Sequence, residues 1–500
     1  MKSHTLFKKA IVTMIVSFLI VSLVAGLGSS FSISRVDVDD ASSFWLSLAG
    51  NAWNYFQPGI GVDPTTGLHR GGVNYFAFTD WDTGLYIQAI IDAEKLGILN
   101  RTGAWGTNER INKILTFLET RPLTSDDLPY LSYSSQTGKN IDDTPQVATD
   151  IGKLLVALKN LETYKPELKN RIDSIVYNRT NYEQRRISVD VLLGQMLNGT
   201  RQANIYDYYV TLGFAGFWPE KYTSKADAIL DFITSADKVD YLGIALPRAK
   251  VSCDPLLYAI FDFQQPDARI VNLTRQVYLA HEARFNSTGR YVAFGETNTD
   301  FSDVSFVYQW VVMPDGRTWV LEVVEPNDVN NHEVSVMPIV CLKVAVGFLA
   351  IYASPFAQGM VNYVLGQLPA PATGYNVGVD ENGRVVDASL GAGNSLIISA
   401  ARYGIDHNIT VAFYSVSTPS SSSTPAVTNP PTPGTSPKPT TMPNPTTIPA
   451  PSVNPTPNPN PPQIPTTQHK NDISVVTAST AAIAVIVMAG VLVHKKQKVT

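Results

Sequence analysis

Apolar side chains recur three or four residues apart through most of the chain, which is the spacing of one face of an α-helix. In the first such segment, Phe44, Leu48, Ala52 and Tyr55 follow this rule. The pattern predicts twelve helices, at residues 42–56, 83–96, 108–120, 146–163, 187–197, 204–217, 224–234, 254–263, 271–285, 335–353, 355–367 and 393–403.

Two pairs of short segments interrupt the helices and predict β-hairpins, 306–313 with 318–324 and 375–379 with 384–387. A turn that contains glycine joins each pair, as expected of a hairpin. Twelve helices in succession with hairpins between them predict a mainly α fold for residues 36–414, an (α/α)6 toroid-like body with short β-hairpins. A looser helical domain is the alternative.

Both ends of the chain carry long apolar runs. Residues 10–27 follow a basic flank and lead into small residues, so residues 1–30 are predicted to be a signal peptide or an N-terminal anchor. Residues 473–493 carry no charge, are long enough to form a transmembrane helix, and precede a basic tail at 494–500. Because basic flanks stay in the cytoplasm, we expect a single-pass protein of the cell membrane with an extracellular body and a cytoplasmic C-terminal tail.

The segment between body and membrane, residues 415–470, consists mainly of Pro, Thr, Ser and Asn. Such a segment cannot bury enough apolar surface to offset the entropy of ordering, and dense proline stiffens it. We therefore expect a disordered, extended stalk that holds the body away from the membrane.

The charge and the cysteine content exclude other classes of protein. With 38 Lys and Arg against 43 Asp and Glu, the formal net charge is −5, so no nucleic-acid partner is expected. The two cysteines, Cys253 and Cys341, exclude a disulfide scaffold, and either they pair with each other or they are reduced thiols in the core. Histidines without ligand spacing predict neither a metal centre nor a cofactor, although Ca²⁺ held by loop carboxylates is an alternative.

The first candidate site is the sequence Asp80-Trp81-Asp82, in which two carboxylates flank an aromatic ring. Paired acids suit the cleavage of a glycosidic bond, and aromatic faces are surfaces on which sugar rings pack. Asp82 also lies where the N-cap of helix 83–96 belongs, which is a purely structural explanation for one acid. That explanation accounts for neither Asp80 nor Trp81.

Further candidate acids lie at other predicted helix–loop junctions. Asp143 precedes helix 146–163 and has a helix cap as its alternative role. Glu322 and Glu333 lie between the end of the first hairpin and the following helix. In a toroid, one set of such junctions faces a central cavity, so these acids are expected to converge with Asp80 and Asp82.

Aromatic residues in predicted loops are candidate platforms for sugar rings. Tyr75, Trp81 and Trp218 are the examples that lie outside or at the edges of the predicted helices. Most other aromatic residues are expected to belong to the core.

Several short motifs together resemble a known family. They are D-x-x-T-G-L at Asp63 to Leu68, W-D-x-G at Trp81 to Gly84, L-G-I followed by Asn100, T-D-I-G at Thr149 to Gly152, and G-Y-N at Gly374 to Asn376. They resemble an uncharacterised envelope domain of bacteria and archaea, a domain of unknown function related to glycoamylase-like and endo-β-1,2-glucanase (α/α)6 domains. The resemblance covers nearly the whole body, implies the (α/α)6 fold and a glycan as the ligand, and carries over Asp82 by motif.

The leading hypothesis is a membrane-anchored glycoside-hydrolase-like protein that acts on a poly- or oligosaccharide. An inverting reaction needs an acid and a base about 6.5–9.5 Å apart, for which Asp82 or Asp80 and either Glu322 or Glu333 are the candidates. Trp81, Tyr75, Trp218 and Asp143 are the predicted substrate-binding residues. The alternative is a non-catalytic surface protein that binds a glycan or supports the envelope. The enzyme hypothesis fails if Asp80, Asp82 and Glu333 all cap helices or pair with arginine.

Overall fold

The computed structural model of the chain describes residues 38–301, 304–323 and 332–411. The predicted signal segment at 1–30, the stalk at 415–470, the transmembrane helix at 473–493 and the tail at 494–500 lie outside the described residues. Among the described helices, none combines the length and the apolar character needed to cross a membrane.

The described part of the chain is mainly helical, with small sheets. It contains thirteen α-helices: α1 Val38–Trp53, α2 Asp80–Lys95, α3 Thr107–Thr120, α4 Ala148–Tyr164, α5 Lys169–Asp173, α6 Tyr182–Leu197, α7 Ile205–Phe217, α8 Pro219–Ser235, α9 Cys253–Phe261, α10 Ala268–Thr288, α11 Leu342–Tyr352, α12 Pro355–Leu365 and α13 Gly391–Asp406. Short 3₁₀ turns at Asn54–Phe56 and Pro166–Leu168 and a π-helical turn at Ser174–Arg179 complete the helical content of this part.

Six of these helices contact one another in a closed ring, in the order α2, α4, α7, α9, α11, α13 and back to α2. Each ring helix also contacts one helix outside the ring, namely α3, α6, α8, α10, α12 and α1 in the same order. The ring helices are buried around most of their circumference, whereas the outer helices keep one exposed face. Two concentric sets of six are the arrangement expected of an (α/α)6 toroid.

Every one of the twelve helices predicted from apolar periodicity is present, and the boundaries differ locally. The helix predicted at 335–353 begins only at Leu342, because Ile339–Cys341 pairs as a strand with residues distant in sequence. The periodicity also gave no signal for the helical turns at 166–179.

Eleven short strands form four antiparallel sheets in the described residues. The strands are β1 Ala77–Phe78, β2 Tyr133–Ser134, β3 Lys238–Tyr241, β4 Ile244–Pro247, β5 Thr297–Phe301, β6 Val304–Val312, β7 Thr318–Val323, β8 His332–Glu333, β9 Ile339–Cys341, β10 Gly378–Asp380 and β11 Val385–Val386. Strands β5 to β8 form the largest sheet, in chain order, and both predicted hairpins are confirmed as β6–β7 and β10–β11. Strands β1 to β5, β8 and β9 were not predicted.

Glycines allow three ring helices to pack at very short range. A Cβ on Gly213 of α7 would lie 2.1 Å from the carbonyl oxygen of Gly152 on α4, and one on Gly84 of α2 would lie 2.8 Å from the carbonyl oxygen of Lys153. Real Cβ atoms do not approach a carbonyl so closely, so these positions exclude every side chain. The backbones of α2, α4 and α7 therefore meet directly.

Ion pairs fill the ring interior toward the C-terminal ends of its helices. Lys153 donates to Asp262 at 2.8 Å and to Tyr209 at 3.0 Å, and Arg402 pairs with Asp92 at 2.7 Å. These side chains are almost entirely buried, so each charge depends on its partner in place of water. Ion-paired side chains therefore occupy this part of the ring interior.

Candidate active site

The N-termini of the ring helices meet at one end of the ring. The ring of Trp81, near the start of α2, packs at a tilted angle against that of Tyr206, near the start of α7, with the ring centroids 6.2 Å apart. Lys343, near the start of α11, pairs with Asp254, near the start of α9. Free backbone N–H groups and the helix dipoles give this end a positive potential, and the acids described below lie within it.

Asp82 lies in the first turn of α2. Thr79 caps this helix, and Asp82 completes a capping box by accepting the Thr79 backbone N–H at 3.0 Å on Oδ2. The prediction that Asp82 is the N-cap is therefore wrong, because the helix begins at Asp80 and its N-cap is Thr79. The Oδ1 atom has no hydrogen-bond partner among the described residues and remains available to a ligand. Burial raises the pKa of Asp82 to about 6, against the lowering effect of the Thr79 hydrogen bonds.

Asp150 occupies the corresponding position in the first turn of α4. Its side chain is fully buried at 0% exposure, and neither carboxylate oxygen has a hydrogen-bond partner of good geometry within the described part of the chain. Burial, and then the charges of Asp82 and Asp80, hold the pKa of Asp150 well above its ordinary value, and the nearby Thr79 hydroxyl offsets this only in part. Ionising a buried carboxyl group is costly, so this environment favours the protonated form of Asp150.

Glu296 immediately precedes β5 and brings a third carboxyl group to the same end. Its backbone N–H donates to Asp254 at 2.9 Å, and the hydroxyl of Tyr206 donates to its Oε2 at 3.0 Å. Burial first, and then the charge of Asp254, raise the pKa of Glu296 to about 7, although Lys343 acts in the opposite direction. Asp82 also acts on Glu296 through its charge, which shows that the two groups share one electrostatic environment.

Aromatic side chains form the wall beside these acids. The rings of Tyr308 and Trp310 stack at 5.5 Å on β6, and Tyr206 contacts both of them edge to face. Trp81 has an indole N–H without a hydrogen-bond partner among the described residues. The site thus combines three carboxyl groups of raised pKa with a buried aromatic lining.

Asp80, Glu322 and Glu333 are already bound to cations. Asp80 is fully buried and forms a two-pronged ion pair with Arg121. Glu322 accepts hydrogen bonds from Lys250 at 2.7 Å and from Trp310 at 2.8 Å. Glu333 is about half exposed and binds Arg317 at 2.6 Å.

These ion pairs make Asp80 and Glu333 structural acids and Glu322 a support of the aromatic wall. Of the four predicted catalytic acids, Asp82 has a carboxylate oxygen, Oδ1, without a hydrogen-bond partner among the described residues. Its other oxygen, Oδ2, belongs to the capping box of α2. Asp80 and Glu333 pair with arginine and Asp82 caps a helix, so the enzyme hypothesis fails as it was based on these three acids. The catalytic hypothesis depends instead on Asp150 and Glu296, to which the sequence analysis assigned no role.

The predicted binding residues separate into two groups. Trp81 lies at the floor of the site, 5% exposed, and Tyr75 lies close enough to Asp82 for its charge, after burial, to raise the tyrosine pKa. Trp218 ends α7 at about 20 Å from that helix's start, where it packs with Tyr177, so it is wrong as a sugar platform of this site.

Asp143 is exposed in a loop and accepts from Asn140 at 3.2 Å. It neither caps α4, which begins at Ala148 after the N-cap Val147, nor contacts the three acids.

Sequence signals for the two missed acids were weak and of different kinds. Asp150 belongs to the T-D-I-G motif, so the family resemblance contained it without indicating its role. Glu296 lies in an irregular segment and joins the site through Tyr206, which is 90 residues earlier. Local patterns carry no information about a partner at that separation.

A surface groove of about 520 Å³ lies away from the three acids, along the outer helix α3. Its lining includes Lys113, Phe117 and Lys139, and Arg121 lies at its base. Arg121 also binds Asp80, so this groove adjoins the structural ion pair behind the site. Within the described residues, no three His, Cys, Asp or Glu side chains are grouped so that they could hold a metal ion. Cys253 and Cys341 are both free thiols buried in the core.

Solved structures of two glucanases share this fold. The endo-β-1,2-glucanase of Talaromyces funiculosus is 12% identical, with 74% of this chain and 86% of that chain covered at a TM-score of 0.52. The endo-β-1,2-glucanase of Chitinophaga pinensis is 12% identical, with 75% and 94% covered at a TM-score of 0.50. At this level of identity the likeness establishes the fold alone.

Comparison with curated proteins finds no match to this chain. A family model matches residues 47–406, which is well over half of the chain and contains all three acids of the site. The chain therefore belongs to the family described as "Protein of unknown function (DUF3131)".

Proposed function

We propose that this protein is a cell-surface glycoside hydrolase of (α/α)6 toroid architecture that cleaves a poly- or oligosaccharide with two carboxyl groups. The observation that carries the proposal is the cluster of Asp82, Asp150 and Glu296, three acids of raised pKa at one end of the ring. Perturbed carboxyl groups gathered in a concave site are typical of acid–base catalysis. An inverting reaction is the form that we propose.

The surroundings of each acid suggest its role. Glu296, whose pKa burial and the charge of Asp254 raise to about 7, is the general acid that protonates the glycosidic oxygen of the leaving group. Asp82, with a pKa of about 6, is the general base that takes a proton from the attacking water, whose oxygen bonds to the anomeric carbon as the glycosidic bond breaks. Asp150 keeps its proton and donates a hydrogen bond to a substrate hydroxyl.

The structural neighbours support the class of substrate. The Talaromyces funiculosus enzyme was solved with sophorose, and the Chitinophaga pinensis enzyme was solved with sophorotriose and glucose. Linear β-1,2-glucan is therefore the first substrate to try, followed by other β-glucans and envelope polysaccharides. The proposed location rests on the apolar segments at 1–30 and 473–493, which suit export and a single C-terminal membrane anchor.

The test of the proposal measures the release of reducing ends by the full chain and by three variants. Asp82→Asn and Glu296→Gln keep size and shape but remove the base and the acid, so each is expected to lower the rate by at least about 100-fold. Asp143→Asn, which alters an exposed loop acid, is the matched control and is expected to keep the wild-type rate.

Cleavage at the wild-type rate by both Asp82→Asn and Glu296→Gln would contradict these roles. A wild-type protein that binds glycans without cleaving any of them would instead favour the non-catalytic surface protein considered from the sequence.

A further inference from the structure

The loop that leads into α2 forms the rim of the site. Residues 69–79 end at the cap Thr79, so Tyr75 and Phe76 lie only a few residues before Asp82. The charges of Asp82 and Asp142 both act on the Tyr75 hydroxyl, after burial, in raising its pKa. Tyr55, whose hydroxyl donates to the Arg70 carbonyl at 2.7 Å, experiences the charges of both Asp82 and Arg70. Tyr75 and Arg70 therefore lie in the electrostatic surroundings of Asp82, and Phe76 lies beside Arg70.

Phe76 exposes an aromatic ring at this rim. Its side chain is 43% exposed although it is large and apolar, and the Arg70 guanidinium lies 4.4 Å from the ring centroid. Exposing part of a phenylalanine ring gives up favourable apolar burial. Because the guanidinium holds the ring in place, the exposed surface is a rigid platform.

Arg70 is a nearly buried cation with few partners. Its side chain is 11% exposed, its ion pair with Asp63 is 4.0 Å long, and its hydrogen bond to the Val73 carbonyl is 3.5 Å long. The Nε atom has no hydrogen-bond partner among the described residues. Asp63 meanwhile accepts shorter hydrogen bonds, of 2.9 and 3.0 Å, from the backbone of Thr65 and Thr66.

A guanidinium carries five N–H donors, and buried donors without acceptors are costly. The Nε atom is itself buried, so ligand oxygens would instead accept from the terminal N–H groups of Arg70, whose contacts with Asp63 and Val73 are long. A hexopyranose unit presents an apolar ring face beside adjacent hydroxyl oxygens that accept hydrogen bonds.

We propose that Arg70, Tyr75 and Phe76 form a subsite that binds one neutral hexopyranose ring of the substrate, stacked on Phe76 and hydrogen-bonded by Arg70. This inference deepens the proposed function and rests on it for the identity of the neighbouring reaction centre. The acidic surroundings, Asp82 and Asp142, disfavour a uronic acid at this place because like charges repel.

The experiment measures the retardation of the full chain, in a mild detergent, during native electrophoresis through gels that contain linear β-1,2-glucan or, separately, polygalacturonate. Phe76→Ala is expected to weaken glucan binding about fivefold, because aromatic stacking contributes about 1 kcal/mol beyond area burial. Arg70→Lys keeps the charge but loses the planar fork, so we expect a similar loss.

Leu197→Ala is the matched control, since this side chain is 59% exposed at the C-terminal end of outer helix α6. It is expected to bind glucan like the wild type. Circular dichroism of each variant verifies that the fold is unchanged.

The inference is overturned if the wild type is not retarded by glucan, if Phe76→Ala and Arg70→Lys bind glucan as the wild type does, or if polygalacturonate is the stronger ligand. Retardation that falls in both variants supports it, whether or not the wild type releases reducing ends. A wild type that binds glucan through this rim but cleaves nothing would remove the hydrolase proposal while leaving the subsite in place. Cleavage that is lost in Asp82→Asn and Glu296→Gln, with glucan binding unchanged in Phe76→Ala and Arg70→Lys, would support the hydrolase proposal and overturn the subsite.

Discussion

Asp82 and Glu296 owe their raised pKa values, about 6 and about 7, mainly to the same physical cause, the loss of water around each carboxyl group. Their neighbours then act on the two pKa values in opposite directions. Thr79 donates hydrogen bonds that favour the charged form of Asp82, whereas the negative charge of Asp254 disfavours that of Glu296. Two carboxyl groups with different proton affinities in one site are what acid–base catalysis requires.

The pH dependence of hydrolysis should reflect this difference. Activity is expected to rise through pH about 6, as Asp82 becomes the ionised base, and to fall above about 7, as Glu296 loses the proton that it must donate. The measurement is the initial rate on β-1,2-glucan from pH 4 to 9. Asp143→Asn should leave the bell-shaped profile unchanged, and a rate that kept rising to pH 9 would exclude Glu296 as the acid.

The buried carboxyl group of Asp150 predicts a pH dependence of folding stability, which can be measured whether or not the protein is an enzyme. Its folded-state pKa lies well above that of the unfolded chain, so its contribution to stability is complete below pH about 4 and is lost as the pH rises through the folded-state pKa. The side chain of Asp150→Asn cannot ionise, so this variant does not lose stability at this position as the pH rises. Relative to pH 4, the variant should gain about 1–3 kcal/mol of unfolding free energy over the wild type at pH 7.

Urea denaturation of the wild type and of Asp150→Asn at pH 4, 5.5 and 7 measures this difference. Asp143→Asn, an exposed change, should follow the wild type at every pH. Parallel curves for Asp150→Asn and the wild type would show that Asp150 is ionised in the fold without cost.

At the scale of elements, the direct backbone contact of α2, α4 and α7 brings Asp82 of α2 and Asp150 of α4 close enough for their charges to interact. Gly213 has no room for a methyl group, because its Cβ would overlap the Gly152 carbonyl. Gly213→Ala should therefore separate α4 from α7 and destabilise the fold by about 1–3 kcal/mol or more. Thermal unfolding followed by circular dichroism measures the loss.

Gly194 on α6 provides the matched control for this change. It lies on an exposed helix surface, and a Cβ there would meet no atom within 4 Å. Gly194→Ala should raise the stability by up to about 1 kcal/mol, since alanine is the better helix former. Equal effects of the two substitutions would mean that helix propensity, and not the α4–α7 contact, decides the outcome.

For the whole molecule, the proposed anchor predicts how the chain partitions in cells. The full chain should sediment with membranes, and a chain truncated before residue 473 should be released into the medium. Protease added to intact cells should cleave within 415–470 and release a folded body, because residues 38–411 contain the closed helical ring. A truncated chain that stayed with the membrane would instead identify residues 1–30 as an uncleaved anchor.

The sequence by itself determined the helices, the two hairpins and the kind of residue found at the helix starts. All of these depend on patterns within about 20 residues, such as the apolar face of 146–163 or the turn between 306–313 and 318–324. The chain order of twelve helices indicated an (α/α)6 toroid because most of the helices pack against near neighbours along the chain, whereas the contacts of α13 with α1 and α2 that close the ring join the two ends of the body.

Only the tertiary structure decided which acids are available for chemistry. Asp80 looked equivalent to Asp82 until folding brought Arg121, 41 residues away, onto its carboxylate. Glu296 owes its raised pKa to burial first and then to the charge of Asp254, and its carboxylate accepts a hydrogen bond from Tyr206, 90 residues earlier. A carboxyl group's pKa depends on the water it loses and on the charges that surround it, and it is folding that fixes both.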